Sequence, residues 1–189
     1  MKEIIKMIVV LSVICGVCGF LLAMVKAQTE ERIEEQVLLN VKGPAVNKVL
    51  AGSTNDLIKD RKKITLGEEE MVVFVGKKDN EPWGVAYEMS AGGFGGDIGV
   101  IVGFDLNTNT LAGIGVTTHK ETPGVGSKVK DDNAYADNFK GKSIKDNFKI
   151  KSDGGVIDAI TGATISSRGV CTAVRNGVGL FEEIKSKMK

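Results

Sequence analysis

The chain contains a single histidine, three prolines, three cysteines and few aromatic side chains, which make up 5% of its 189 residues. Lys and Arg total 25 against 24 Asp and Glu, so the positive charge excess that drives nucleic-acid binding is missing and no nucleic-acid partner is expected. A hydrolase with a histidine-based triad would have only His119 as its base, and no GxSxG motif accompanies it. Metal-ligand spacing is also missing, so the sequence predicts no metal site.

The three cysteines do not indicate a disulfide framework. Cys15 and Cys18 form a CxxC pair inside an apolar run, where small apolar helix residues are expected, whereas a redox or zinc pair belongs in a water-accessible domain. Cys171 has no partner in the rest of the chain. We therefore expect the fold to be held together by its hydrophobic core, for which a hydrophobic content of 42% is sufficient.

An apolar run near the N-terminus predicts a membrane anchor. Residues 7–25 carry no charged side chain, and a helix of this length spans about 28 Å, close to the ~30 Å hydrocarbon core of a bilayer. The alternative is a cleaved signal peptide, because small residues surround position 27. The run is longer than the usual core of a signal peptide, and Lys26 stands where small residues are expected, so the sequence favours a transmembrane helix.

The flanks of the run predict its orientation. Positive charges precede the run, namely Lys2, Lys6 and the α-amino group, and the acidic stretch TEERIEEQ follows it. We therefore expect residues 1–6 in the cytoplasm and the chain after the run on the other side of the membrane. Residues 26–60 are predicted to form a helical stalk or linker, in which a helix ends at Gly43 and Pro44. Residues 61–189 are predicted to form one domain.

Strand patterns begin at Met71, Trp83 and Asp97. The third strand alternates apolar residues onto one face, and the polar turn LNTNT joins it to LAGIGVTTHK as a hairpin. A terminal helix is predicted to begin near Ser167, with apolar residues at helical spacing. This apolar stripe consists of Val170, Val174, Val178, Phe181, Ile184 and Met188. Antiparallel strands with helices packed alongside predict an α+β fold.

The stretch DAITGATISSRGV, residues 158–170, combines hydroxyls and small residues just before the terminal helix. Helix starts expose unpaired N–H groups and a positive dipole end, and glycine allows close approach of a ligand, so an anion such as phosphate would be bound well there. A simpler interpretation makes Ser166 or Ser167 an ordinary helix N-cap and the rest a turn. The spacing alone leaves both interpretations open.

Two further segments are rich in glycine. HKETPGVGSKV, residues 119–129, is expected to form a loop with a tight turn at Pro123 and Gly124, and Glu121 and Thr122 lie at its rim. SAGGFGGDIG, residues 90–99, lacks the phosphate-loop pattern and enters a strand instead of a helix. It is predicted to be a hinge or bulge without a catalytic group.

An apolar helix and four motifs, in this order, resemble a known family. The N-terminal helix, GGFGGDIGVIVGFD, HKETPGVGSKV, NFKGKS and DAITGATISSRGV together resemble the FMN-binding domain of the G subunit of the Rnf complex, which is similar to the C subunit of the sodium-pumping NADH:quinone reductase. The resemblance covers almost the whole chain. It implies an electron-transfer component of a membrane-bound, ion-translocating ferredoxin:NAD oxidoreductase.

The resemblance implies covalently bound FMN. In this family the pattern Asp-x-x-Ser/Thr-Gly-Ala-Thr is a flavinylation signal, and FMN is joined through its phosphate to the last threonine, which is Thr164 here. Asp158 and Thr161 match the other polar positions of the pattern, and Gly162 and Ala163 match the small ones.

The resemblance also assigns residues to the flavin ring. The ETPG loop lies against the isoalloxazine ring in the family, which implies Glu121, Thr122 and Val125, the last at a position where many relatives have leucine.

The implied partners are the A, B, C, D and E components of the Rnf complex, membrane lipid, and a flavin transferase of the ApbE type, which uses FAD and Mg²⁺ and releases AMP. The implied location is the inner membrane, with a single span and the FMN domain outside the cytoplasm. Three alternatives stay open: an anchored FMN domain that serves another reductase, a relative of the quinone reductase's C subunit, and an anchored, non-redox binding module in which TGAT is only a capped turn.

Overall fold

The computed structural model describes residues 2–67 and 69–188. Met1, Glu68 and Lys189 lie outside the described residues. The α-amino group of Met1 is one of the charges on which the predicted orientation depends, and Glu68 and Lys189 belong to the predicted domain. The chain divides into two compact units, Met1–Leu38 and Leu39–Lys189.

The first unit consists of helix α1, Lys2–Val37, which contains the predicted span 7–25. None of its described side chains is buried. An 18-residue stretch with a mean hydropathy of 2.8 gives the helix the length and composition needed to cross a membrane. In a bilayer such a helix satisfies its own backbone hydrogen bonds, and lipid would cover its apolar side chains. The apolar N-terminus is therefore a candidate membrane span, as the sequence predicts.

The second unit is built on a 5-stranded sheet with the order β1-β2-β3-β4-β5, in which every neighbouring pair is antiparallel. The strands are β1 Lys62–Leu66, β2 Glu69–Lys78, β3 Glu81–Gly92, β4 Asp97–Asp105 and β5 Thr110–Val116. Asp79 and Asn80 join β2 to β3 with φ angles of 51° and 68°, the left-handed conformation that suits a two-residue hairpin turn. The predicted hairpin of β4 and β5 is present.

The chain contains six further helical segments among the described residues. They are a π-helical turn Leu38–Lys42, α2 Gly43–Val49, α3 Lys128–Asp131, α4 Asn133–Asp137, a 3-10 turn Lys151–Asp153 and α5 Thr164–Lys187. Antiparallel strands with helices packed alongside confirm the predicted α+β class.

Helix α5 covers one face of the sheet and forms the core with it. The rings of Tyr87, Phe104 and Phe181 stack in sequence, with centroid distances of 5.3 and 4.7 Å. The Tyr87 hydroxyl donates a 2.8 Å hydrogen bond to the carbonyl of Gly177 on the helix. The apolar alternation of β4 and the stripe of α5 thus meet, because each turns its apolar side toward the other.

Helix α2 packs on the opposite face, close against glycines. A Cβ atom at Gly103 would lie 2.1 Å from Cγ1 of Val49, and one at Gly115 would lie 3.0 Å from Cβ of Ala45. The prediction that a helix ends at Gly43 and Pro44 is wrong, because α2 begins there and proline fits the first turn of a helix. This part of the predicted linker 26–60 therefore packs within the second unit.

Candidate functional site

A groove of about 350 Å³ lies where three segments meet: the glycine-rich loop before β4, the loop after β5, and the start of α5. Its lining residues are Phe94, Glu121, Thr122, Val125, Gly126, Gly162, Ala163, Thr164, Ile165 and Ser166. Segments far apart in the chain therefore contribute to one concave surface. The volume falls within the ~300–1,000 Å³ typical of small-molecule sites.

Glycines allow these segments to approach each other closely. A Cβ atom at Gly95 would lie 2.1 Å from the carbonyl oxygen of Lys120, so the glycine-rich loop can touch the loop after β5 only with glycine at this position. A Cβ atom at Gly169 would lie 2.7 Å from the carbonyl oxygen of Gly92, so α5 can pass over the same loop. The glycine-rich segment, predicted to be a hinge or bulge, is in fact one wall of the groove.

Glu121 connects the three segments through its carboxylate. Its Oε1 accepts hydrogen bonds from the backbone N–H groups of Phe94 at 2.8 Å and Gly95 at 3.0 Å. Its Oε2 accepts a hydrogen bond from the hydroxyl of Ser166 in the first turn of α5. The residue is only 5% exposed. One buried side chain thus holds both loops against the helix.

The pKa of Glu121 is set by two opposing effects. Burial raises the pKa, whereas the hydrogen bonds from Ser166, Gly95 and Phe94, together with the nearby His119, lower it, and the net pKa lies below its ordinary value. The carboxylate is therefore ionised at neutral pH. Both of its oxygens accept hydrogen bonds from protein groups, so its negative charge holds the glycine-rich loop and the start of α5 in place around the groove.

The start of α5 differs from the sequence prediction. The helix begins at Thr164, whereas a start near Ser167 was expected, and neither Ser166 nor Ser167 is its N-cap. Ala163 occupies the N-cap position and provides no side-chain hydrogen bond. The hydroxyl of Ser167 instead accepts from the N–H of Ile160 at 3.1 Å and donates to the carbonyl of Ala163 at 2.9 Å, so it fixes the chain entering the helix.

Thr164 is exposed at the first position of this uncapped helix and lines the groove. The first N–H groups of a helix lack intrahelical partners and carry the positive end of the helix dipole. An exposed hydroxyl at this position can therefore hold a phosphoryl group close to donors that stabilise its negative charge.

Asp158 and Thr161 are not among the residues that line the groove. Both are exposed, and Asp158 forms an ion pair with Lys151, with 2.7 Å between Nζ and Oδ1. Asp158 precedes the start of α5 by more than a helical turn. Gly162, by contrast, forms the wall with φ at +81°, a conformation that favours glycine.

The loop after β5 has the tight turn that Pro123 and Gly124 predict. The N–H of Gly124, at φ +74°, donates a 2.9 Å hydrogen bond to Oγ of Ser127. This turn leaves Thr122 and Val125 exposed along the groove, next to the start of α5. Among residues 2–67 and 69–188, His, Cys, Asp and Glu form no group of three or more that could hold a metal ion.

Four residues that line the groove were not predicted as site residues: Phe94, Gly126, Ile165 and Ser166. Phe94 is 69% exposed and Ile165 is 48% exposed, and both add apolar surface beside Val125, which is 46% exposed. Ser166 donates a hydrogen bond to Glu121. A large aromatic residue among five glycines in residues 90–99 is the one feature that could have indicated a ligand contact.

The lining fits a flat aromatic ring joined to a phosphate. Exposed Phe94, Val125 and Ile165 provide an apolar surface for a ring, and Thr164 at the helix start provides a position for the phosphate. A flavin mononucleotide needs these two features, an apolar surface for its ring and an anion position for its phosphate.

Comparison with known proteins agrees with this arrangement. The family described as FMN-binding domain matches residues 93–179, which include all three walls of the groove. The chain is similar to the solved structure of the C subunit of the Na⁺-translocating NADH-quinone reductase from Parabacteroides distasonis, with a TM-score of 0.53 and 26% identity over 68% of this chain and 67% of that chain.

Two curated relatives are named as the G subunit of an ion-translocating oxidoreductase complex. The protein of Salmonella typhi is 40% identical over 124 residues, and the chain spans 59% of that relative's length. The protein of Vibrio parahaemolyticus is 33% identical over 189 residues, which cover 92% of this chain and 87% of the relative. The chain therefore belongs to the family of G subunits of ion-translocating oxidoreductase complexes, the Rnf family that its motifs indicate.

Proposed function

We propose that the chain is an electron-transfer subunit of a membrane-bound, ion-translocating oxidoreductase complex and carries FMN joined through its phosphate to Thr164. The observation that carries this proposal is the exposed position of Thr164 at the uncapped start of α5, on a groove with an apolar lining. The proposed partners are the other Rnf components, A to E. The names of the G-subunit relatives support this assignment.

The attachment is a group transfer from FAD, performed by an ApbE-type flavin transferase with Mg²⁺. The hydroxyl oxygen of Thr164 forms a bond to the phosphorus of the FMN moiety, the phosphoanhydride bond of FAD breaks, and AMP leaves. The hydroxyl proton passes to a base of the transferase. The resulting phosphodiester keeps one negative charge, which the helix start stabilises by a typical ~0.3–1 kcal/mol.

Several side chains would bind the isoalloxazine ring. Phe94, Val125 and Ile165 provide apolar surface that packs against the ring and excludes water from it. Thr122 lies at the edge of the same groove. Glu121 holds the two loops against α5 and so fixes the positions of these apolar side chains.

FMN supplies the redox chemistry when it is bound, and the chain positions it and sets its surroundings. No side chain of the groove is assigned a proton-transfer role. Glu121, the one buried carboxylate there, is held by three donors and is ionised. Its fixed negative charge would disfavour added negative charge on a flavin bound in the groove.

The proposal places the second unit outside the cytoplasm, anchored by α1. Lys2 and Lys6 on one side of the apolar run and the acidic stretch after it support this orientation. A cysteine introduced at exposed Lys145 should react with a membrane-impermeant maleimide in intact spheroplasts. Reaction only after lysis would contradict the orientation.

Expression of the full chain with a flavin transferase tests the covalent link. The tryptic peptide 152–168 should gain the mass of FMN minus water, and fragmentation should map it to Thr164. Thr164→Val should abolish the label, and Ser152→Ala, which removes an exposed hydroxyl of the same peptide outside the TGAT motif, is the matched control and should retain it. An unmodified peptide, in a sample where a known acceptor domain is labelled, would favour the non-redox binding module.

A further inference from the structure

Arg168 lies one helical turn after Thr164 on α5. Residues four apart on a helix share one face, with their Cβ atoms about 5–6 Å apart. Long side chains on a helix also point back toward its N-terminus. The side chain of Arg168 is 51% exposed, so a group attached to Thr164 can reach it.

Asp153 holds the guanidinium of Arg168 in a two-point ion pair. Nε donates to Oδ2 at 2.7 Å, and Nη2 donates to Oδ1 at 2.9 Å. Hydrogen bonding to Arg168 lowers the pKa of Asp153, so the carboxylate is ionised. A guanidinium has five N–H donors, and this pair uses one from each of two nitrogens, so donors on Nη1 remain for another anion.

We propose that Arg168 binds the phosphoryl group during and after its transfer to Thr164, an inference that rests on the proposed function. As the bond from the Thr164 oxygen to phosphorus forms and the phosphoanhydride bond to AMP breaks, negative charge on the phosphoryl oxygens is stabilised by N–H groups of Arg168. No proton moves to or from the guanidinium. Asp153 competes with the phosphate for Arg168, because its negative charge weakens the attraction of the guanidinium for a second anion.

The other account of Arg168 is purely structural. The ion pair joins the 3-10 turn Lys151–Asp153 to α5, and its loss would loosen the segment that leads to Thr164. The two accounts predict opposite effects of Asp153→Asn. If Arg168 binds phosphate, this change removes a competing negative charge and transfer is not slowed. If the ion pair only holds the turn, Asp153→Asn slows transfer as much as Arg168→Gln.

The test measures initial rates of flavin incorporation into the full chain in detergent, with purified transferase, FAD and Mg²⁺, by fluorescence of the protein band. Arg168→Gln should lower kcat/KM for the chain about 10-fold or more, since a hydrogen bond to a charged group contributes about 1.5–3 kcal/mol. Asp153→Asn should be as fast as the wild type or faster.

Arg175→Gln is the matched control for the loss of one positive charge. Arg175 lies on the same helix, about 16 Å from Thr164 along the axis, and bonds Oγ1 of Thr172 at 2.9 Å. Its substitution should leave the rate unchanged. Equal rates for Arg168→Gln and Arg175→Gln, or an equal slowing by Asp153→Asn and Arg168→Gln, would overturn the inference. A wild-type chain without label at Thr164 would instead refute the proposed function on which the inference rests.

Discussion

Replacement of Glu121 by glutamine tests whether one ionised carboxylate organises the groove. Gln has the same shape, its carbonyl oxygen can accept from Phe94 and Gly95, and its amide can donate to the rotatable hydroxyl of Ser166. Only the charge is lost. Because the protein lowers the pKa of Glu121, it stabilises the carboxylate more than the neutral acid, so a neutral side chain should reduce stability.

The magnitude follows from the three donors. Hydrogen bonds to charged groups contribute about 1.5–3 kcal/mol against about 0.5–1.5 for neutral ones, and relief from burying a charge offsets part of this difference. We expect Glu121→Gln to lower the free energy of unfolding by about 1–2 kcal/mol, or Tm by about 2–8 °C for a domain of this size. Thermal unfolding of the full chain in detergent, followed by circular dichroism at about pH 7, measures it. Glu182 is an exposed carboxylate on α5, so Glu182→Gln is the control and should change the free energy of unfolding little.

The stability difference should depend on pH in one direction only. Since the folded pKa of Glu121 is below its ordinary value of 4.5, its contribution is fully present above that value and is lost as pH falls through the folded pKa. The wild type and Glu121→Gln should therefore converge in stability as the pH is lowered below 4.5. Equal stability at neutral pH, or a difference that grows on acidification, would refute this account of Glu121.

Three further substitutions test the packing and the groove. Gly103→Ala should destabilise the second unit by about 1–3 kcal/mol in urea unfolding, because the added Cβ atom would lie 2.1 Å from Cγ1 of Val49. Unchanged stability would mean that α2 does not pack against Gly103. Tyr87→Phe should lower stability by about 1 kcal/mol, since it removes the buried hydrogen bond to the Gly177 carbonyl, and a stabilising effect would contradict that bond. Phe94→Ala should leave Tm nearly unchanged, because the side chain is 69% exposed, but should increase iodide quenching of the covalent flavin; equal quenching would show that Phe94 does not cover the ring.

Local pattern predicted the parts of the fold whose residues are close in sequence. The alternation of Ile98, Val100, Val102 and Phe104 predicted β4 and its buried face, and all four side chains are buried. The helical spacing after Val170 predicted the stripe of α5, of which Val170, Val174, Phe181 and Ile184 are buried. Val178 and Met188 are partly buried against the core, and Met188 lies just beyond the helix. The short strand β1 was not predicted, because its pattern is weak and its place depends on pairing with β2.

Ordered motifs also predicted the family, which the comparisons confirm. Most of the predicted site residues line one groove, although their roles toward FMN stay predictions. In the structure α5 begins at Thr164, earlier than predicted, and Asp158 is not among the residues that line the groove. In the first turn of α5, the hydroxyl of Ser167 bonds the N–H of Ile160 and the carbonyl of Ala163, a contact that helix-cap preferences do not reveal.

The sequence alone determined the apolar N-terminal helix, the α+β class and the position of the TGAT motif before a terminal helix, because each depends on residues within a few turns of one another. The tertiary structure alone decided how the groove is assembled. Glu121 meets Phe94 and Ser166 only when β4, β5 and α5 are packed together, and glycines such as Gly95 and Gly169 permit that approach. Contacts between distant segments depend on the packed backbone, so no local pattern encodes them.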